Sequence, residues 1–283
     1  MRAAFWLAAL SIVCIVSSVS AAEMRVFRDR PYAEPKVARR TLDVYAPAAG
    51  QSRPIVFYIH GGGWRRGDKG AVAKKPAALV ERGYVFVSTN YRFVPEVDVL
   101  QMAGDIAKAI RWTYDHAAEY GGDPNQIFVV GHSAGAHLAA LVCTDDRYLK
   151  AEGLSLKILR GCVPIDVSVY DIPWRLSESG FAPNPNFTII FGDDPAKQRD
   201  YSPATHVSPG KDIPPFLLFY VASRDDTKAA SAAFAERLTQ AGVTATVVAG
   251  ENKTHTSIAN DLGTPDDAPT SALLKFLSDN SRR

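Results

Sequence analysis

The chain predicts a single α/β domain built on a parallel sheet, and three observations carry that expectation. From residue 54 onward, short apolar segments alternate with stretches of helical periodicity, the pattern of repeated strand–helix–strand units. Residues 126–143 read as strand, turn and helix in succession. Ile127, Phe128, Val129 and Val130 suit a strand buried on both faces, and residues 136–143 are small and apolar enough for a buried helix. With 283 residues, 47% hydrophobic and 22% charged, the chain can bury one large core and does not call for a second domain.

The first 22 residues stand apart from that domain. Met1 and Arg2 precede an apolar run over 3–16 and the small-residue stretch 17–22, the organisation of a secretory signal. Cleavage after Ala21 satisfies the small-x-small rule through Val19 and Ala21, and cleavage after Ala22 satisfies it through Ser20 and Ala22; both remain open. An uncleaved anchor is the alternative, but the run is shorter than the roughly 20 residues that a spanning helix needs. Cys14 does not fit a lipid-attachment site, because Val13 stands where a small residue is required. The expectation is therefore an exported protein, periplasmic or secreted, with no stable membrane insertion after cleavage.

The elements of the domain (23–283) follow in order. Residues 25–47 contain the alternating Thr41-Leu42-Asp43-Val44-Tyr45 and predict an edge hairpin. Residues 54–60 form a buried strand, 71–82 a helix closed by Gly83, and 84–88 a strand. Helical spacing of Leu100, Ala103, Ile106, Ile110 and Tyr114 predicts a helix over 97–120, with core rather than ligand roles for these side chains. His116 near its end reads as a surface or helix-end group. After the turn that follows residue 130, strands are expected at 159–167, 215–221 and 243–248, and a helix at 229–241. The polar stretch 168–214, with Pro and Gly and no long regular pattern, predicts a cap-like insertion over the carboxyl ends of the strands. Its aromatic residues Tyr170, Trp174, Phe181, Phe187 and Phe191 suit either a substrate pocket or anchorage of the segment, and His206 reads as structural.

Composition excludes several classes. Lys+Arg of 32 against Asp+Glu of 30 gives +2, falling to +1 once Arg2 is removed, and no basic run interleaved with aromatics appears, so nucleic acid is not an expected partner. No C-x-x-C or H-x-x-x-H cluster supports a metal. Cys143 and Cys162 are the two cysteines that remain after cleavage; export would permit a disulfide, whereas their apolar settings favour two buried thiols.

The chemistry lies in two glycine-rich turns. Gly131-His132-Ser133-Ala134-Gly135 has the G-x-S-x-G spacing between a strand and a helix. There a tight turn lifts the serine hydroxyl clear of the sheet, and bulky side chains two positions away would block it. His60-Gly61-Gly62-Gly63-Trp64 ends an earlier strand, and consecutive glycines leave backbone N–H groups unshielded for a developing oxyanion. The amides of Gly62, Gly63 and Ala134 are the expected donors, with His60 ordering the loop rather than serving as base. A serine needs a base and an orienting acid, and the order Ser…Asp…His directs attention downstream. His255, after the last strand, is the expected base. The acid is expected in Ser223-Arg224-Asp225-Asp226-Thr227, with Asp226 preferred and Asp225 left open, one of the two being available to cap the following helix.

With these motifs the chain resembles the α/β-hydrolase superfamily, in particular the hormone-sensitive-lipase-like and feruloyl- or acetyl-esterase-like carboxylesterases. The resemblance continues through Ser88-Thr89-Asn90-Tyr91-Arg92 and Tyr120-Gly121-Gly122-Asp123-Pro124 and covers about residues 41–277. It implies a mostly parallel sheet of about eight strands between helices, no cofactor, and hydrolysis of small-molecule carboxylic esters through an acyl-enzyme. The glycine that usually precedes the acid is missing, with Ala222-Ser223 in its place. Arylformamidase-like amide hydrolysis is the alternative within enzymes, since those proteins share a similar loop and elbow. A non-catalytic binding domain of the same fold is the alternative outside them, disfavoured because serine and histidine are both present.

Overall fold

A computed structural model describes residues 24–178, 180–182 and 184–281, so the signal-like segment lies outside the described residues. The strands are β1 (Met24–Pro31), β2 (Thr41–Pro47), β3 (Arg53–Ile59), β4 (Val85–Thr89), β5 (Gly122–His132), β6 (Leu159–Ile165), β7 (Phe216–Val221) and β8 (Ala245–Gly250). They form one eight-stranded sheet in the order β1-β2-β4-β3-β5-β6-β7-β8. The hairpin β1–β2 and the β2–β4 pair are antiparallel, and every pairing from β4–β3 across to β8 is parallel. The helices are α1 (Lys75–Glu81), α2 (Val99–His116), α3 (Ala134–Thr144), α4 (Arg147–Ala151), α5 (Pro185–Phe191), α6 (Pro195–Asp200), α7 (Asp225–Gln240), α8 (Ser257–Asn260) and α9 (Ala268–Asn280). None of the described helices is long and apolar enough to cross a membrane.

Both faces of the sheet are covered, which is why its inner strands read as unbroken apolar runs. Ile55, Phe57 and Ile59 of β3 enter one core with Ile106 of α2, Leu138 of α3 and Phe234 of α7. Val56 and Tyr58, on the opposite face, enter a second core with Leu79 of α1 and Leu273 and Leu277 of α9. Helix α3 lies between sheet and solvent-facing layers so completely that all eleven of its residues are buried.

Local chemistry explains where the helices begin. The predicted helix over 97–120 starts at Val99 because Asp98 forms a capping box with Gln101, and it tightens at Ala117–Tyr120 into a 3-10 turn closed by Gly121 at φ 77°. His116 at its end stacks on Trp112 and meets the Trp112 carbonyl, a local structural role. Helix α7 starts at Asp225, earlier than the predicted 229, and this shift matters for the site below.

Residues 168–214 fold into short pieces: a π-helical turn Trp174–Glu178, α5, α6 and a 3-10 turn Pro203–His206. Most of the aromatic residues anchor this segment. Tyr170 stacks on Phe234 with ring centroids 4.4 Å apart, and Phe191 packs edge-on against Trp64 and His137. Trp174 borders a cavity of about 340 Å³ beside α7, apart from the glycine turns. Phe187 both packs on Trp64 and faces the cleft above Ser133. His206 Nε2 meets the Asp200 carbonyl at 2.8 Å, in keeping with a structural role. Cys143 and Cys162 are free, buried thiols, and burial pushes the Cys162 thiol well up.

Candidate active site

The carboxyl ends of β3, β5, β6 and β8 converge on one cleft of about 880 Å³, large enough for a small-molecule ligand. Ser133 links β5 to α3 at φ 54° and ψ −120°, a left-handed conformation that costs a β-carbon residue about 1–3 kcal/mol. The surroundings impose it. Ser133 N–H donates to the Ile165 carbonyl of β6 at 2.9 Å, and the Ser133 carbonyl accepts from Ala136 and His137 at 2.9 and 3.2 Å. A β-carbon on Gly131 would strike the Gly135 carbonyl, and one on Gly135 would strike the Ile59 carbonyl of β3. The two glycines of the motif are thus places where helix and sheet backbones touch.

Beyond β3, Gly61 packs against the other side of this turn; a β-carbon there would lie 3.1 Å from Ser133 Cβ. Gly62 has φ 134°, and a β-carbon would run into the Arg66 carbonyl, which pins the loop as a closed turn with Arg65 and Arg66 amides donating to the Gly62 carbonyl. Gly61, Gly62 and Gly63 line the same cleft as Ser133. Ala134 is the first residue of α3, where an N–H has no intrahelical acceptor. The three predicted oxyanion donors therefore border the serine from two sides, β3 and α3. His60 is buried, stacked on Tyr91 at 4.6 Å and bonded to the Gly61 carbonyl at 2.7 Å, so it orders the loop and does not reach the serine as a base.

His255 lies where the sequence predicted, in the loop after β8. Its Nε2 is 2.9 Å from Ser133 Oγ, and its Nδ1 is 2.6 Å from Asp166 Oδ2. A carboxylate can only accept, so Nδ1 carries the proton and Nε2 is left as the acceptor facing the serine hydroxyl. The loop is held by reciprocal bonds between Thr254 and Ser257 and by Lys253, which bridges Asp261 and Asp267.

Asp226, the acid preferred from the sequence, is not against the histidine. The turn after β7 is only three residues long, so α7 begins at Asp225 and both carboxylates fall in its first turn, at the positive end of the helix. Asp226 accepts from Arg224 at 3.2 Å and faces Arg175 at 3.7 Å, while Asp225 is exposed. The acid position belongs instead to Asp166, at the end of β6. Its side chain is fully buried, its Oδ1 accepts from the Val221 amide at 3.0 Å, and Arg224 donates to its Oδ2 at 2.5 Å. Burial pushes this carboxyl up, but the His255 bond, the Arg224 charge and the Val221 amide together hold it well below the usual carboxylate range. The signal for it was present: a lone acid in the apolar run Val163-Pro164-Ile165-Asp166-Val167, where an unpaired charge could not be buried.

Two further histidines brace the site. His132 Nε2–H donates to the His255 carbonyl at 2.6 Å, tying the residue before the serine to the base loop. His137 accepts from the Trp64 indole at 3.2 Å and donates to the Tyr201 carbonyl at 2.8 Å, joining the elbow helix to the glycine loop and to the 168–214 segment. Among the described residues, Asp145, Asp200 and His206 could converge on a metal, but none lines the cleft, and Arg147 already bridges Asp145 and Asp200.

Sheet order and strand–serine–helix elbow define an α/β hydrolase, with a serine, a histidine and a buried aspartate in hydrogen-bonded series. The BD-FAE family model matches residues 42–227, well over half of the chain, and the chain belongs to that family. Among related sequences, a probable isoprenylcysteine alpha-carbonyl methylesterase (ICMEL1) of Arabidopsis thaliana is 29% identical over 82% of this chain and 50% of its own length. The chain spans about half the length of the curated relatives it matches. A truncated carbohydrate esterase from gut microbiota shares the fold with a TM-score of 0.76 at 22% identity, over 92% of this chain and 97% of that one. An esterase of Thermogutta terrifontis has a TM-score of 0.66 at 25% identity, over 92% and 91%.

Replacing Asp166 by Asn should lower kcat on an activated ester by about 10³–10⁴-fold, whereas Asp226→Asn should stay within about tenfold of the parent. Steady-state kinetics of the two purified variants decide this, and the reverse ranking would restore Asp226 as the acid.

Burial pushes His60, His132 and His137 down to about 4. In the unfolded chain histidine titrates near about 6.5, so between those values the unfolded state binds more protons and folding stability falls as the pH is lowered. The expected slope is up to about 1.4 kcal/mol per pH unit per histidine, fading below about pH 4. Asp166 acts in the same direction over a lower window: its depressed value adds stability that is complete above about pH 3.9 and is lost only as the pH falls further. Urea unfolding across pH 7.5 to 4 measures this, and a flat profile over that window would contradict buried neutral histidines.

Proposed function

We propose that this protein hydrolyses carboxylic esters through an acyl-enzyme on Ser133, with His255 as base, Asp166 as orienting acid and the Gly62, Gly63 and Ala134 amides as oxyanion donors. The observation that carries the reading is the series Ser133 Oγ, His255 and Asp166, joined at 2.9 and 2.6 Å at the floor of an open cleft. The esterase relatives and the family membership support the same chemistry.

In the first half-reaction Ser133 Oγ attacks the ester carbonyl carbon as its proton passes to His255 Nε2. The carbonyl π electrons move to oxygen, where the glycine-loop and α3 amides meet the new charge. The imidazolium faces the fixed Asp166 carboxylate through Nδ1–H, which offsets the charge it has gained. Collapse of the tetrahedral species expels the alkoxide, which takes the proton from Nε2 and leaves as alcohol. Water then repeats the sequence on the acyl-serine, releasing the carboxylic acid and returning the proton to Ser133. Asp166 stays ionised throughout, since its pairing with Arg224 and the Val221 amide holds it far from protonation.

The organisation of residues 1–22 supports an exported, processed protein, and N-terminal sequencing of the mature chain after expression tests it: a start at Ala22 or Glu23 is expected, and an intact Met1 in the fractionated product would contradict it.

Ser133→Ala should reduce kcat/KM on 4-nitrophenyl acetate or butyrate by about 10³-fold or more while leaving the far-UV circular dichroism unchanged. Parental turnover in that variant would overturn the assignment.

A further inference from the structure

The charge lining the cleft is lopsided. Among the described residues, Arg65, Arg66 and Arg224 contribute to its walls, against one carboxylate, Asp166. That carboxylate is already committed to His255 and to Arg224. The remaining two arginines follow directly on the glycine loop. Both are exposed, and neither side chain has a hydrogen bond or ion pair among the described residues. The nearest acid in sequence makes no ion pair with them among the described residues: Asp68 accepts from the Gly70 amide at 2.8 Å and from the Asn90 amide nitrogen at 3.1 Å instead. The lining histidines His60 and His132 are kept neutral by burial and do not alter the sign. In a chain whose formal charge is only +2, two unopposed cations beside the oxyanion donors are a local excess, not a share of a basic surface.

Their backbone is rigid where it matters. The Arg65 and Arg66 amides close on the Gly62 carbonyl, and the Gly67 carbonyl that ends the turn accepts from Arg39 at 2.7 Å. The guanidinium groups are therefore presented from a fixed turn that begins at the proposed oxyanion donors. Guanidinium matches a carboxylate in shape, with two parallel N–H donors for its two oxygens, and in a walled cleft the field of such a pair is focused rather than dispersed. From the 168–214 segment, Asn184 and Asn186, neutral and polar, also line the cleft.

We propose that the preferred substrates are esters carrying a carboxylate, which Arg65 and Arg66 hold beside the oxyanion loop while Ser133 attacks the ester carbonyl. The proposal rests on the esterase reading and names its substrate class.

Two matched pairs test it: mono-4-nitrophenyl glutarate against 4-nitrophenyl butyrate, with the charge on the acyl side, and 4-acetoxybenzoate against its methyl ester, with the charge on the leaving side. The readout is the ratio of kcat/KM, charged over neutral, for the parent and for Arg65→Gln, Arg66→Gln and the double variant. In at least one pair the parent should favour the charged member, and the double variant should lower that ratio by about tenfold or more. A role confined to the fold of the loop would lower both members together and leave the ratio in place. With the parent alone, raising NaCl from about 0.05 M to about 0.5 M should also lower the ratio, because screening weakens only the charged contact. A parent with no charged preference in either pair, or a preference that survives the double substitution, overturns the proposal and leaves the esterase reading standing. Absence of Ser133-dependent turnover on all four esters overturns both.

Discussion

The left-handed backbone of Ser133 is the constraint on which the rest of the site depends. A serine in a free chain avoids φ 54°, ψ −120°, and it persists here because β3, β5, β6 and α3 meet around it. The Gly135 backbone touches the Ile59 carbonyl, the Ser133 amide reaches the Ile165 carbonyl, and Gly61 closes on the serine from the β3 side. The residue following Ile165 is Asp166, whose amide bonds the Phe219 carbonyl of β7 at 2.7 Å and whose carboxylate takes the Val221 amide. Ser133 and Asp166 are thus neighbours in one backbone network, and the sheet register sets their spacing.

Electrostatics follows from the same arrangement. A fully buried carboxylate would be costly alone, and Asp166 is surrounded by a histidine N–H, a guanidinium and a backbone amide. Arg224 is shared between Asp166 and Asp226, so the acid of the helix turn steadies the arginine that steadies the acid at the site. Because Asp166 is spent inside this group, Arg65 and Arg66, which also line the cleft, are left without an ion-pair partner among the described residues.

The segment over residues 168–214 attaches through packing more than through regular structure. Trp64 stands at the junction: its indole donates to His137 on the elbow helix, and Phe187 and Phe191 of α5 pack on its ring. One side chain therefore ties the glycine loop, the serine helix and the wall of the cleft together, so the shape of the cleft is coupled to the position of the oxyanion amides.

Local pattern sufficed for the elements. Residues 127–130 and 55–59 had to be buried strands because their side chains are apolar or aromatic, and the glycines at 131 and 135 marked a turn with backbone contact on both sides. Ser133, His255 and the glycine loop were legible for that reason, since each sits within a few residues of the end of a strand that the pattern locates. The acid was not. Asp166, Asp225 and Asp226 all follow strands and all satisfy the order Ser…Asp…His; the Arg-x-Asp-Thr resemblance favoured Asp226, but neither order nor motif says which strand end lies nearest the histidine. That is decided by the parallel register of β6 against β5 and β7, and by a turn so short that α7 starts at Asp225 and draws its acids onto the helix end. Sequence by itself located the fold class, the serine elbow and the histidine loop, because these depend on local periodicity and on steric needs within a few residues. Only the tertiary structure could choose Asp166, pair it with Arg224 and gather unopposed arginines at one cleft, because charge pairing is a matter of distance in space.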